Sequence, residues 1–299
     1  MDDSGNYLAY LANPDNWDGV SAEHAVSFAD DVREKRKEDL GLNGVLPPII
    51  NGRDFPEPHQ LTKRAPLVDG LFRMQDNVLL GAPSKMGKSW FYANLACALA
   101  SGTHFLDLET RKSKVLYIDL ELHRDDFLDR LWRVCHAQGL RQMPEHLWAW
   151  CLRDHEYDLD LMIMELDEHM ESLGGIDVII LDPIYMLGGM DFDENNANSV
   201  KHFLRGIATL KRKHNSALLL THHFSKGNKG KEDHTDRFSG SGTFSRWPDS
   251  MITLSRHNTR NHAIVEVTGR SMPRTMPFTV NMSPPAIKAT DLEVEHQRL

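Results

Sequence analysis

The octapeptide Ala82-Pro-Ser-Lys-Met-Gly-Lys-Ser89 constrains this chain more than any other stretch. It directly follows the apolar run Val78-Leu79-Leu80 and directly precedes a helical pattern that begins at Trp90. The spacing is that of a phosphate-binding loop of the Walker A type in relaxed form, with Ala82 where the first glycine usually stands. A strand that feeds a helix through such a loop aims the free N–H groups of the first helical turn, and the positive end of the helix dipole, at one spot. An anionic triphosphate fits there. On this reading the cradle runs through Ala82, Pro83, Ser84, Lys85, Met86, Gly87, Lys88, Ser89 and Trp90. Gly87 lets the backbone come close to the phosphates, Lys88 reaches the β and γ phosphates, and the Ser89 hydroxyl takes one position on Mg2+.

Around the loop, strand and helix signals alternate. Trp90 to Ser101 places Phe91, Leu95, Ala98 and Leu99 on one side of a helix, with Gly102 as the stop. Val115 to Leu120 reads as a buried strand ending at Glu121, and Asp125 to Gln138 as a helix closing on Gly139. Leu159 to Leu173 reads as a helix, and Asp177 to Leu181 as an apolar strand ending in Asp182. A helix over Ala197 to His214 precedes a strand, Ala217 to Thr221, that ends in His222-His223. The pattern predicts an α/β fold with a mainly parallel sheet and helices on both faces, with the chemistry at the C-terminal ends of the strands. Ser250 to Ser255, Ala263 to Thr268 and Pro277 to Val280 alternate as antiparallel strands do, and extend one edge of that sheet.

Three strand ends then meet the loop. Asp182 is placed to hold Mg2+ through water. Glu121 is a candidate general base for an attacking water, since γ-phosphate hydrolysis needs a carboxylate across from the leaving group. His222 or His223 is placed to contact the γ-phosphate; one of an adjacent pair faces away.

The order of these motifs, from the Walker A loop through Tyr117-Ile-Asp-Leu-Glu121, Ile179-Ile-Leu-Asp182-Pro, Leu219-Leu-Thr-His-His223-Phe-Ser-Lys-Gly227 and Asp236-Arg-Phe-Ser-Gly-Ser-Gly242, resembles the RecA-like ATPases. More closely it resembles the RepA-like branch near the DnaB-type hexameric helicases, the AAA-type ATPases of plasmids, phages and integrated elements. The similarity covers about residues 64 to 285. It implies a RecA-like P-loop NTPase core with ATP and Mg2+ as cofactors, Glu121 as catalytic base, Asp182 as the metal-holding carboxylate and His223 as the phosphate sensor. It also implies DNA-contacting loops at Met186 to Ser199 and Ser225 to Arg237. A basic residue supplied by the neighbouring subunit falls at Arg270, with Arg274 as the second candidate. The assembly implied is a head-to-tail hexameric ring on single-stranded DNA, acting as a replicative helicase or translocase of a mobile element. Two alternatives stay open: a DNA-binding ATPase that loads or remodels recombination proteins, and a nucleotide-dependent switch or scaffold that recruits a protein partner. The corresponding organisation is a polar extension and linker over 1–60, an ATPase domain over 61–285 and a charged tail over 286–299.

Bulk properties limit the partners. A net charge of −9 over 299 residues argues against a protein that coats nucleic acid with its whole surface, while leaving room for a local basic channel. The second loop carries Lys226, Lys229, Lys231 and Arg237 against Glu232, Asp233 and Asp236, and the first loop is acidic, so attraction to DNA per subunit is modest. No apolar run approaches the ~20 residues of a membrane span. The acidic start Met1-Asp-Asp-Ser lacks the order of a signal peptide, which reads as a cytoplasmic protein. Cys97, Cys135 and Cys151 lack metal-type spacing and read as buried free thiols.

Overall fold

The computed structural model describes residues 49–155, 158–186, 196–223, 246–272 and 275–294. The chain divides into two compact units, Met1–Thr62 and Lys63–Leu299. The described part of the first is exposed and contains two single 3₁₀ turns, Gly52–Asp54 and Pro58–Gln60.

The second unit is built on one sheet. A small antiparallel hairpin, β1 (Pro66–Val68) and β2 (Phe72–Arg73), leads into β3 (Asn77–Ala82), which runs into the loop and helix α1 (Lys88–Ser101). Then follow β4 (Val115–Asp119), α2 (Arg124–Ala137), β5 (Leu147–Cys151), α3 (Leu159–Ser172), β6 (Val178–Asp182), α4 (Ala197–His214) and β7 (Ala217–His223). The chain closes with β8 (Ser250–Arg256), β9 (His262–Gly269), β10 (Phe278–Asn281) and β11 (Lys288–Thr290). The nine strands of the main sheet lie in the order β11-β10-β9-β8-β3-β7-β6-β4-β5. From β5 to β8 every pairing is parallel, and β8 to β11 form an antiparallel meander.

The period-2 alternation of the strands sorts their apolar residues into two layers. Leu80, Tyr117, Ile180 and Leu219 face α1 and α2, meeting Phe91, Leu95, Phe127 and Leu131. Leu79, Leu116, Ile179 and Leu218 face α3 and α4, meeting Leu166, Phe203 and Ile207. Each fully buried Leu or Phe contributes about 1.5–3 kcal/mol relative to exposure. Helix α1 is enclosed on nearly all sides rather than along one stripe, which suits its run of Ala and Leu. It stops at Gly102, whose left-handed φ of 75° lets its N–H close on the Ala98 carbonyl.

The expected architecture is the observed one, with two additions. β5 extends the parallel edge, and β11 pairs with β10 inside the stretch read as a charged tail. Strands β6 and β7 also run one and two residues further than their apolar runs, so Asp182, His222 and His223 are the last residues of strands rather than residues beyond them. Cys97 and Cys135 are buried as expected, but Cys151 on edge strand β5 is only half-buried.

Candidate nucleotide site

The loop between β3 and α1 bends through two left-handed residues, Lys85 (φ 60°) and Gly87 (φ 88°). Gly87 caps α1, and its carbonyl receives the first helical N–H, that of Phe91, at 2.9 Å. A Cβ at Gly87 would be strained by that φ and would stand 3.0 Å from Met282 Cε. The turn therefore needs glycine, and it leaves the first-turn N–H groups of α1 aimed outward as an anion cradle.

Lys88 is buried, with Nζ 3.5 Å from the Ala82 carbonyl. Burial pulls its pKa down to about 8, against the attraction of the Asp182 and Glu121 carboxylates. A cation held at that cost of desolvation fits an anionic ligand, whose phosphates would restore the charge. Lys88, Asp182 and Glu121, chosen from sequence for separate reasons, thus act on one another in the fold.

Asp182 is almost fully buried, and both of its oxygens are held. The Tyr117 hydroxyl donates to Oδ2 at 2.9 Å, and the Thr221 hydroxyl donates to Oδ1 at 2.6 Å. Two donors from the flanking strands β4 and β7 fix the carboxylate beside Ser89, whose carbonyl lies 3.4 Å from the Tyr117 hydroxyl. Ser89 and Asp182 accordingly have the donor chemistry for an oxygen-liganded Mg2+.

Glu121 is exposed at the mouth, and its strand end is set by Asp119. The Asp119 Oδ1 accepts from the Glu121 N–H at 3.1 Å and the Leu122 N–H at 2.7 Å. Arg153, just past β5, donates to the Glu121 carbonyl at 2.8 Å. Asp119 pairs in register with Asp182 across β4 and β6. Burial pushes its pKa up to about 6; its two backbone hydrogen bonds oppose that rise and the neighbouring Asp182 adds to it. Asp119, Tyr117, Thr221 and Arg153 had no role assigned from sequence. Hydroxyls inside apolar strands and an acid two residues before Glu121 were the available signals, but only register shows what each one holds.

The histidine pair ends β7 alongside the entry to the loop, with Gly81 opposite His222 and Ala82 opposite His223. His222 is fully buried; the side chain of His223 lies outside the described residues. Arg270 is not brought to this site. β9 runs antiparallel to β8, so its end lies at the edge of the sheet where β3 starts, opposite the loop. There the Arg270 N–H donates to the Asp249 carbonyl at 2.9 Å, and its guanidinium donates to the Arg246 carbonyl. Arg274 lies outside the described residues, as does most of both expected DNA loops, 187–195 and 224–245. Among the described residues no helix is long and apolar enough to cross a membrane.

Comparison with known proteins agrees with this geometry. A family model described as an AAA domain matches residues 54–229. No curated protein sequence matches the chain. Among solved structures, the chain is similar to a RadB recombinase, with TM-score 0.54 and 15% identity over 73% of this chain and 92% of that one. It is similar to the ATPase domain of a DnaB-like helicase, with TM-score 0.55 and 11% identity over 73% and 85%. A KaiC-like protein from the hyperthermophilic archaeon Pyrococcus horikoshii OT3 gives TM-score 0.51 and 14% identity over 75% and 93%. At these identities the likeness is one of fold, and that fold is RecA-like.

Proposed function

Because the chain belongs to the AAA-domain family, we propose that it is a Mg2+-dependent ATPase that assembles head-to-tail into a ring, hexameric by resemblance, and moves along single-stranded DNA. The observation that carries the hydrolytic half is the shared field of Lys88, Asp182 and Glu121 at the end of β3, β6 and β4. In this reading the loop N–H groups and Lys88 bind and orient the triphosphate. Ser89 and, through water, Asp182 hold Mg2+, which when bound neutralises charge on the phosphates. Glu121 takes the proton of the attacking water, with its backbone fixed by Asp119 and Arg153. His223 reports the state of the γ-phosphate along β7 to the loop that follows.

The DNA half rests on the motif resemblance and on the occurrence of a recombinase among the fold relatives. The position of Arg270 supports a role in trans, since a residue that completes a neighbour's site has to stand away from its own. Steady-state ATP hydrolysis with and without single-stranded DNA, beside Lys88→Ala and Glu121→Gln, tests both halves. Strong stimulation by DNA that both substitutions abolish is the expected result. A slow rate indifferent to DNA removes the motor and leaves a nucleotide-dependent switch, with protein partners to be sought.

A further inference from the structure

Beside the phosphate loop lies a second cationic feature that the reading above does not use. Trp90, in the first turn of α1, directly follows Ser89. Arg130 and Arg133, one turn apart on α2, both lie over its indole, with guanidinium carbons 4.8 and 5.5 Å from the ring centroid. Arg133 leans on Asp129 at 3.8 Å, whereas Arg130 has no ion-pair partner among the described residues. Two like charges on one ring repel each other, and the stack on Trp90 offsets this only in part. Such a pair is best satisfied by an added anion.

The direction of Arg130 is also defined. Its charge opposes the rise in pKa of both Tyr117 and Asp119, so the guanidinium lies towards the ends of β4 and β6 and not out in solvent. Lys88 and the loop supply charge to the transferred end of a triphosphate, and the residue after Ser89 is the next step along α1. We propose that Arg130, laid against the Trp90 indole, is a positioning residue of the nucleotide site, holding the α-phosphate of a bound nucleoside di- or triphosphate. This assignment rests on the nucleotide reading of the loop. Its role is ground-state binding, so it acts on affinity for ADP as strongly as on affinity for ATP.

The test is calorimetric titration of the full-length chain with MgADP, paired with ATPase kinetics. Arg130→Ala is expected to weaken MgADP binding about tenfold, equivalent to about 1.4 kcal/mol. KM for ATP should rise by a similar factor, with most of the loss in KM rather than in kcat. Trp90→Ala should cost about as much, Trp90→Phe much less, and the double variant Trp90→Ala/Arg130→Ala no more than either alone, since the indole acts by holding the guanidinium. Arg130→Lys, which keeps the charge but loses the flat stack, should fall between wild type and Arg130→Ala and guards against misfolding. Unchanged MgADP affinity in Arg130→Ala, in a protein where Lys88→Ala does abolish binding, overturns the assignment and leaves the ATPase reading intact. Loss of kcat alone overturns it too, by placing Arg130 on the transition state. Failure of the wild-type chain to bind MgADP sinks both.

Discussion

At the scale of single residues, two buried charges set the pH behaviour of the site. Lys88 titrates at about 8 in the fold against 10.5 in an exposed chain. The folded protein therefore holds this proton less well than the unfolded one, and the resulting destabilisation is complete below pH 8 and fades between 8 and 10.5. Binding a polyanion reverses the shift, so the free site takes up a proton on binding once Lys88 has begun to titrate. Affinity for MgADP should fall by up to about tenfold per pH unit above 8. Calorimetry at about pH 7 and about pH 9 in buffers of differing ionisation enthalpy would show both the weaker binding and the proton uptake. Asp119 is the opposite case, a carboxyl raised to about 6. Its charged form costs stability above pH 6, and that cost is relieved as pH falls through 6 towards 3.8. Asp119→Asn keeps an oxygen for the two N–H groups and removes the charge. Thermal unfolding should show the variant more stable than wild type at about pH 7, with the difference shrinking at about pH 5. Asp119→Ala frees the strand end under Glu121 and should lower kcat by about 10- to 100-fold with a smaller change in KM. The motif spacing made Lys88, Asp182 and Glu121 legible in the sequence. Asp119 sat in the same motif with no role, because its work is a pair of hydrogen bonds to its own chain two and three residues on.

At the scale of elements, α1 is tied to distant parts of the chain near its N-terminal end. The Tyr92 hydroxyl donates to the Leu220 carbonyl at 3.0 Å, joining the helix to β7. Asn94 joins three segments: its amide donates to the Pro285 carbonyl at 2.9 Å, its oxygen accepts from the Ile287 N–H at 3.2 Å, and its carbonyl accepts from the Gln138 amide at 2.9 Å. Asn94→Ala leaves the Pro285 and Ile287 groups buried without these partners and should cost about 2–3 kcal/mol in urea unfolding. That hub connects the helix of the phosphate loop to the end of the meander, far along the chain, and no local pattern announces it. Strand signals were readable where one face or both are buried, as in β4, β6 and β7. β5 was not, because Leu147-Trp-Ala-Trp-Cys151 sits at the sheet edge, partly exposed on both faces, and neither alternates nor runs apolar. β11 was missed for a similar reason: three residues, Lys288–Thr290, carry too little pattern, and it is the pairing with β10 that makes them a strand.

At the scale of the whole molecule, the loop and Arg270 stand at opposite edges of one sheet. A head-to-tail ring lets each copy lend one edge to the next, whereas a face-to-face dimer does not. Mixing two inactive proteins, Glu121→Gln and Arg270→Ala, therefore should restore activity. Random assembly leaves about a quarter of the interfaces with both an intact base and an intact arginine, and recovery near that level in an ATPase assay checks the arrangement. No recovery at any ratio would place Arg270 outside the reaction. The sheet has one more consequence. β3 sits between β7 and β8, so the strand that carries the phosphate loop is among the first made and the last to be flanked. A ribosome must deliver the chain through Arg256 before the loop's own strand has both neighbours, so the nucleotide site is withheld from the growing polypeptide until most of its length exists.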